Sequence, residues 1–276
     1  MDEKNLFNVS GRIAIITGGL GQIGAEFVKE FLGREALVAV FSRNVDEEKR
    51  KKAFSPDVLA NPSLRFFSVD ITDKESIVSA LDEVEALWGT PHILINNAGI
   101  DTQPSAPPSV SGPFEDFPES VFREVVEINL VGTFLMIQAV GARMARAGRG
   151  SIINVGSIYG MVSPIQDIYA YKAEKTGVPF IKPVAYSASK SGIYNLTRYC
   201  ATYWGKKGVR VNTLTPSGVY RDTQDIEFQT NYLQRMPMGR MAQADEYNGA
   251  VIFLASDASK YMTGSNLVID GGWTAW

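Results

Sequence analysis

Tyr186 and Lys190 stand four residues apart in the run Val184-Ala185-Tyr186-Ser187-Ala188-Ser189-Lys190-Ser191-Gly192-Ile193. Pro183 precedes the run and small residues fill it, which predicts a helix start. Positions four apart share one helix face. A phenol with a pKa near 10 is a poor proton carrier at neutral pH. An ammonium about 5 Å away, at an effective dielectric near 20, favours the phenolate by about 3 kcal/mol, roughly two pKa units. That shift would bring Tyr186 towards the range of a general acid/base. On most helices such a pair is incidental, so its surroundings decide its meaning.

Tyr171 and Lys175 repeat the spacing, but Thr176-Gly177-Val178-Pro179-Phe180-Ile181-Lys182-Pro183 follows them. One glycine and two prolines prevent a helix from continuing there. Behind Lys190, residues 191–207 are free of proline, with Ile193, Leu196, Tyr199, Cys200 and Tyr203 at helical spacing. Only Tyr186 is expected on a long rigid element.

The chain has 276 residues, 45% hydrophobic, enough to bury a sizeable core as one large α/β domain or two small ones. A net charge of −3 with interspersed signs offers no basic face for nucleic acid. Asp46 to Lys52 mixes signs and reads as a solvated helix start. Residues 1–12 have no signal-like apolar core, and no apolar run reaches membrane-spanning length. The single Cys200 excludes an internal disulfide and reads as inert helix packing; the single His92 leaves no His/Cys metal cluster. These features set the expectation of a soluble, cytoplasmic protein.

The elements that must position Tyr186 can be taken in order. Residues 12–17 form a short apolar run, followed by Gly18-Gly19-Leu20-Gly21-Gln22-Ile23-Gly24 and a helical pattern through Phe27, Val28, Phe31 and Leu32. Strand, glycine turn and helix let a backbone approach a pyrophosphate at a helix N-terminus, although an ordinary tight turn has the same look. Residues 37–41 form a second strand ending in Ser42-Arg43-Asn44. About 20 residues beyond the glycines an acidic residue would hold a ribose 2′-hydroxyl. Here Ser42 and Arg43 suit a 2′-phosphate instead, which favours NADP(H) over NAD(H); the neighbouring Asp46, Glu47 and Glu48 oppose it.

Strands are further expected at 64–69, leading into Asp70-Ile71-Thr72-Asp73, and at 92–95, closed by Asn96-Asn97-Ala98-Gly99. Others are expected at 151–155, 209–214 and 266–269, with helices at 74–88, 118–147 and 244–254. The alternation implies a parallel sheet covered on both faces, with ligands beyond the carboxyl ends of the strands. Asn129 and Thr133 interrupt the 118–147 pattern; a buried mid-helix Asn needs partners, and tying two helices together would supply them. Residues 100–118 and 160–183 read as irregular, and 220–241 as polar and irregular with weak helical character.

Together these pieces resemble the short-chain dehydrogenase/reductase family over nearly the whole chain. The matching positions are Thr17-Gly18, Gly21, Gly24, Asp70, Asn96-Asn97-Ala98-Gly99, Asn129, Ser157, Tyr186 with Lys190, Arg210-Val211-Asn212, Pro216 and Asp270-Gly271-Gly272. The resemblance implies a doubly wound Rossmann-type parallel sheet of about seven strands, as one domain over 1–276. It implies reversible hydride transfer between a secondary alcohol or ketone and an NAD(P)(H) nicotinamide. Ser157 would orient the substrate oxygen, Tyr186 would pass the proton, and Lys190 would hold the nicotinamide ribose and lower the tyrosine pKa, with the nicotinamide cation pushing the same way. Asn129 would hold a water linking that lysine to solvent. Gly18, Gly21, Gln22, Ile23 and Gly24 would border the pyrophosphate, Asp70 and Ile71 the adenine, and Asn97, Ala98 and Gly99 the ribose. Val219 would bond the carboxamide.

The chain departs from the family pattern in several places. Gln22 stands where the shorter branch usually has glycine, Ser217 follows Pro216, and no Thr lies two residues after Val219. The stretches Gly99 to Asn129 and Ser157 to Tyr186 exceed those of the usual member by about 8 and 16 residues. Such additions, near 100–118 and 160–183, with a substrate loop near 219–241, deepen or roof a cleft. Tyr169, Tyr171, Lys172, Lys175 and Lys182 in the second insert suggest a large polar, even phosphorylated, substrate such as a sugar derivative; a plain lid or an oligomer contact fits the insert equally well.

The pattern also resembles members linked to bacterial surface-glycan sugar pathways. Trp273 and Trp276 are expected to pack on a neighbouring subunit of a tetramer or dimer. The leading expectation is an oxidoreductase of a sugar-like or polyol substrate. A rival is a 3-oxoacyl carrier-protein reductase, with Arg143, Arg146 and Arg149 as a docking patch or merely a helix C-terminal cap. From another class, a nucleotide-binding regulatory protein on the same scaffold fits less well, because Ser157, Tyr186, Lys190 and Asn129 are all present.

Overall fold

Short apolar runs alternating with amphipathic helices bury both faces of a sheet only when the strands run parallel. The computed structural model describes residues 5–104 and 106–276. Its strands are β1 (Ile13–Thr17), β2 (Leu37–Ser42), β3 (Leu64–Ser68), β4 (Ile93–Asn96), β5 (Gly150–Val155), β6 (Val209–Pro216) and β7 (Asn266–Ile269). They form one parallel sheet in the order β3-β2-β1-β4-β5-β6-β7, with Ile16 level with Val40 on one side and Ile95 on the other. The order reverses between β1 and β4, so the crevice for a ligand opens beyond their carboxyl ends. This is the Rossmann-type arrangement expected from the sequence, and every strand lies within two residues of its expected bounds.

The helices are α1 (Gln22–Gly33), α2 (Glu47–Ala53), α3 (Pro56–Leu59), α4 (Lys74–Trp88), α5 (Glu119–Val126), α6 (Gly132–Ala147), α7 (Ile158–Met161), α8 (Tyr171–Thr176), α9 (Val184–Trp204), α10 (Ile226–Leu233) and α11 (Asn248–Ala255). Phe27 and Phe31 of α1 and Val251 of α11 cover one sheet face. Ile77 and Leu81 of α4, Met136 and Val140 of α6 and Trp204 of α9 cover the other. Asp46 accepts from the Lys49 N–H and caps α2, the solvated helix anticipated for that charge run. Cys200 is buried in the second face, and burial pushes its thiol up to about 11, in keeping with packing.

Three features differ from expectation. Residues 119–147 form one run through α5, a π-helical turn (Glu127–Val131) and α6, long and apolar enough by length and composition to cross a membrane. Its apolar side instead packs on α4, α9 and the sheet. The stretch 160–183, expected to be irregular, holds α8, tied by ion pairs to α10, in which the weak helical character expected over 220–241 appears. Trp273 is buried within its own chain, stacked on Tyr232 at 4.3 Å and edge-on to Tyr159, whereas Trp276 is exposed. The subunit contact expected of Trp273 is therefore corrected: an indole this large is sheltered by the chain's own aromatic cluster.

Candidate active site

A cleft of about 690 Å³ opens beyond the carboxyl ends of the strands. The tight turn after β1 forms one wall. Gly18 holds φ +64°, and a Cβ there would lie 2.9 Å from the Ala98 Cα. A Cβ on Gly24 would reach 2.3 Å from the Gly18 carbonyl oxygen, so only glycine lets α1 start so close to β1. Gly18, Gly21, Gln22 and Ile23 line the cleft. Gly24 lies just behind the lining, packed against the Gly18 carbonyl. No side chain caps the start of α1 at Gly21, which leaves first-turn N–H groups available to an anion.

Beyond β2 and β3, Ser42, Arg43, Asp70 and Ile71 line the same cleft, followed by Asn97, Ala98 and Gly99 after β4. Two hydrogen bonds from Thr72 hold the Asp70 carboxyl below its usual range. Asn97 is fixed from both ends: its N–H donates to Thr17 Oγ1 at 3.0 Å and its amide to the Thr17 carbonyl at 3.1 Å. Among the described residues the exposed Arg43 guanidinium has no acidic or hydrogen-bond partner, whereas Asp46 and Glu47 are engaged within α2. Two of the three acidic neighbours that weighed against a phosphate are thus committed elsewhere, Glu48 excepted.

The opposite wall carries Ser157, Tyr186 and Lys190. Ser157 leaves β5 and caps α7, its Oγ accepting from the Tyr159 N–H. Tyr194, two helical turns beyond Tyr186, donates to the Ser157 carbonyl at 2.8 Å and braces it against Thr215. Lys190 is buried and donates to the Val155 carbonyl at 2.8 Å; its ammonium lies 5.8 Å from the centre of the Tyr186 ring. The three groups singled out from sequence thus meet at one cleft.

The electrostatics run opposite to expectation. Tyr186 is half-buried at the cleft wall, but protein surrounds its hydroxyl, and this desolvation raises the phenol pKa above its ordinary value. The Asp101 carboxylate adds to the rise, and the nearby Ser157 hydroxyl opposes it. Burial also lowers Lys190 to about 8, so the cation is itself weakened where the phenolate needs it.

Asn129 does not line the cleft. It sits in the π-helical turn, where its Oδ1 accepts from the Ile100 N–H at 2.8 Å and its amide donates to the Ile100 carbonyl and Ser189 Oγ. The tie between segments considered from sequence is what its side chain makes. Val219 lines the cleft and bridges Ala242. Gln22, where the family pattern has glycine, donates to the Tyr220 carbonyl and accepts from Arg221 Nε, both at 2.6 Å, joining the glycine turn to the 219–241 loop.

The roof is aromatic and braced by ion pairs. Tyr159, Tyr169, Tyr171, Phe180, Phe228 and Tyr232 form a third cluster. The Tyr171 hydroxyl donates to Asp225, Lys172 pairs with Asp225 at 2.9 Å, and Lys175 reaches Asp225 and Glu227. Lys182 pairs with Asp101. The lysines expected to meet an anionic substrate therefore have carboxylate partners of their own. Tyr171 and Lys175 are roof ties on a six-residue helix closed by Gly177 at φ +72°, as their surroundings suggested. Asp101, Tyr159 and Tyr232 were missed from sequence, whereas Tyr169 lies in the insert expected to meet the substrate; their alignment depends on loops that fold over one another. No cluster of three metal-ligating side chains occurs among the described residues.

Residues 12–181 match the family described as short chain dehydrogenase, and residues 170–274 match enoyl-(acyl carrier protein) reductase. The chain is 34% identical to a D-threitol dehydrogenase of Mycolicibacterium smegmatis over 97% of its own length and 95% of the relative's. A short chain dehydrogenase from Leptospira borgpetersenii solved with bound NAD+ superposes with a TM-score of 0.84 at 34% identity, covering 99% of this chain and 97% of that one. A gluconate 5-dehydrogenase from Burkholderia cenocepacia, in complex with NADP and tartrate, superposes with a TM-score of 0.82 at 29% identity over 98% of both. Glycine turn, Ser157, Tyr186 and Lys190 around one cleft agree with these likenesses, and the chain belongs to the short-chain dehydrogenase/reductase family of NAD(P)-dependent enzymes acting on CH–OH groups.

Proposed function

We propose that this protein interconverts a secondary alcohol and a ketone on a polyol or sugar-like substrate, with NADP(H) preferred over NAD(H). The observation that carries the reading is the meeting of Ser157, Tyr186 and Lys190 on one wall of a cleft whose other wall is the glycine turn. A dinucleotide held along the first-turn N–H groups of α1, Asp70, Ile71, Asn97 and Gly99 supplies the hydride acceptor or donor at its nicotinamide ring, with Val219 at the carboxamide. Tyr186 takes the hydroxyl proton in oxidation and returns it in reduction. Ser157 hydrogen-bonds the same substrate oxygen, and Lys190 holds the ribose and the local positive charge.

The unpartnered Arg43 beside Ser42 supports the NADP(H) preference, because a guanidinium fork suits a 2′-phosphate. Among the relatives, one structure carries NAD+ and another NADP. A polyol is supported by the relatives named for threitol and gluconate, which narrows the sequence expectation of a surface-glycan sugar. The carrier-protein reading loses Arg143, which is paired with Asp82 and Glu85 on the neighbouring helix. A cytoplasmic homo-oligomer, tetramer or dimer, completes the proposal; exposed Phe134 on α6 and Tyr199 and Tyr203 on α9 support an interface. Titrating NADPH and NADH by fluorescence, then assaying a panel of polyols and ketones with the tighter cofactor, tests the reading. Tight binding without turnover of any alcohol or ketone would leave a binding protein instead.

A further inference from the structure

Asp101 and Lys182 lie 81 positions apart, one in each of the two long loops over the cleft, and meet beside Tyr186. The Lys182 ammonium, buried and 5.5 Å from the Tyr186 ring centre, donates to both Asp101 oxygens at 2.7 and 2.6 Å. Its third proton goes to the Thr102 carbonyl at 2.9 Å. An ammonium has three donors, so Lys182 has none left. A carboxylate accepts about four hydrogen bonds, so Asp101 keeps lone pairs to spare. Its side chain is 28% exposed, at the cleft. The pair therefore shows the cleft open acceptors and closed donors.

We propose that Asp101 determines specificity by accepting hydrogen bonds from a substrate hydroxyl other than the one being oxidised, which makes a neutral polyol the substrate class of this cleft. The inference rests on the dehydrogenase reading above. A substrate carboxylate or phosphate at this position meets a like charge, and Lys172, Lys175 and Lys182 are all engaged with carboxylates of the chain. Arg43 and Arg221 belong to the cofactor side, Arg221 held by Gln22. Tyr159 and Tyr169, which share the wall, offer hydroxyls and ring faces that suit the alternating O–H and C–H groups of a polyol.

The alternative role for the pair is a brace between two loops. Replacing it by apolar groups of similar size preserves a brace, because buried ion pairs exchange for packed apolar pairs at little cost in stability. The test uses the full chain with its preferred cofactor. It compares kcat/KM for a neutral tetritol or pentitol, for butan-2-ol and for gluconate, in wild type, Asp101→Leu/Lys182→Met and Asp101→Asn. The wild type is expected to prefer the neutral polyol over both others. The double variant, with a melting temperature near wild type, is expected to lose about 10- to 100-fold on the polyol, mostly in KM, the effect of one lost hydrogen bond to a charged group. Any effect of Asp101 on the Tyr186 proton acts on butan-2-ol and the polyol alike, so the readout is the polyol-to-butan-2-ol ratio of kcat/KM, which collapses; Asp101→Asn, which needs no apolar repacking, moves the same way. A polyol preference surviving in either variant, or a wild type that favours gluconate, overturns the inference and leaves the dehydrogenase reading intact. A wild type inert towards every alcohol overturns both.

Discussion

Lys190 donates to the main-chain carbonyl of Val155 at 2.8 Å, which anchors the cation of α9 to the end of β5, two residues before Ser157. Both groups that flank Tyr186 are thereby registered against one strand. The cost is desolvation: the folded pKa of Lys190, about 8, lies below its ordinary 10.5. Between those values the unfolded chain binds the extra proton, so stability rises with pH across that window and the burden is full below it. Lys190→Met removes the burden. The stability difference between wild type and variant is expected to move in favour of wild type by up to about 3 kcal/mol from pH 7 to 10.5. Urea unfolding at several pH values measures it, and a constant difference would show that Lys190 titrates normally.

Tyr186 has its pKa raised by burial and by Asp101, so at neutral pH it is in the acid form. That form gives a proton to a ketone, whereas alcohol oxidation needs the phenolate. Initial rates should show reduction level through neutral pH and oxidation climbing steadily above pH 8. An oxidation profile already flat at pH 6 would mean that the phenol is acidified as first expected from Lys190 spacing.

The contrast between spacing and charge marks what was legible in the chain. The Gly18 to Gly24 turn and the Tyr186–Lys190 pair were picked out because strand, turn and helix periodicities are local, and local patterns fix which side chains share a face. The seven strands followed for the same reason, whereas Asp70 and Ser157 were assigned by family resemblance. Lys182 with Asp101, Tyr171 with Asp225 and Trp273 with Tyr232 were not legible, because each joins segments 41 to 81 positions apart whose loops have no periodicity. The sign of the Tyr186 shift was missed because desolvation is a property of the packed site, which a four-residue spacing does not contain.

Arg43 stands alone at the end of β2 with Ser42. Arg43→Asp should raise the NADPH dissociation constant by about 10- to 100-fold while NADH affinity holds or improves, since a charge-assisted fork is exchanged for repulsion. Fluorescence titration of both cofactors measures this. Undiminished NADPH affinity would assign the 2′-phosphate, if it is bound, to other groups.

Asp225 collects Tyr171, Lys172 and Lys175 under the roof, and their hydrogen bonds, led by Lys172, depress its pKa to about 2. With the folded value below the unfolded 3.8, the stabilisation is present above about pH 4 and is lost as pH falls towards 2. Asp225→Asn is expected to lower the melting temperature by a few degrees at pH 7 and to raise KM for the substrate by loosening α8 from α10. The melting difference should vanish on acidification. A difference that persists at pH 2 would trace the loss to packing instead.

The central claim is that the Tyr186 hydroxyl is the proton carrier. The most direct measurement is turnover by Tyr186→Phe at saturating cofactor and polyol, beside a titration of cofactor affinity. The account predicts unchanged cofactor binding with kcat reduced by about three orders of magnitude, within the range of a lost general acid/base. Turnover within a few-fold of wild type would contradict it.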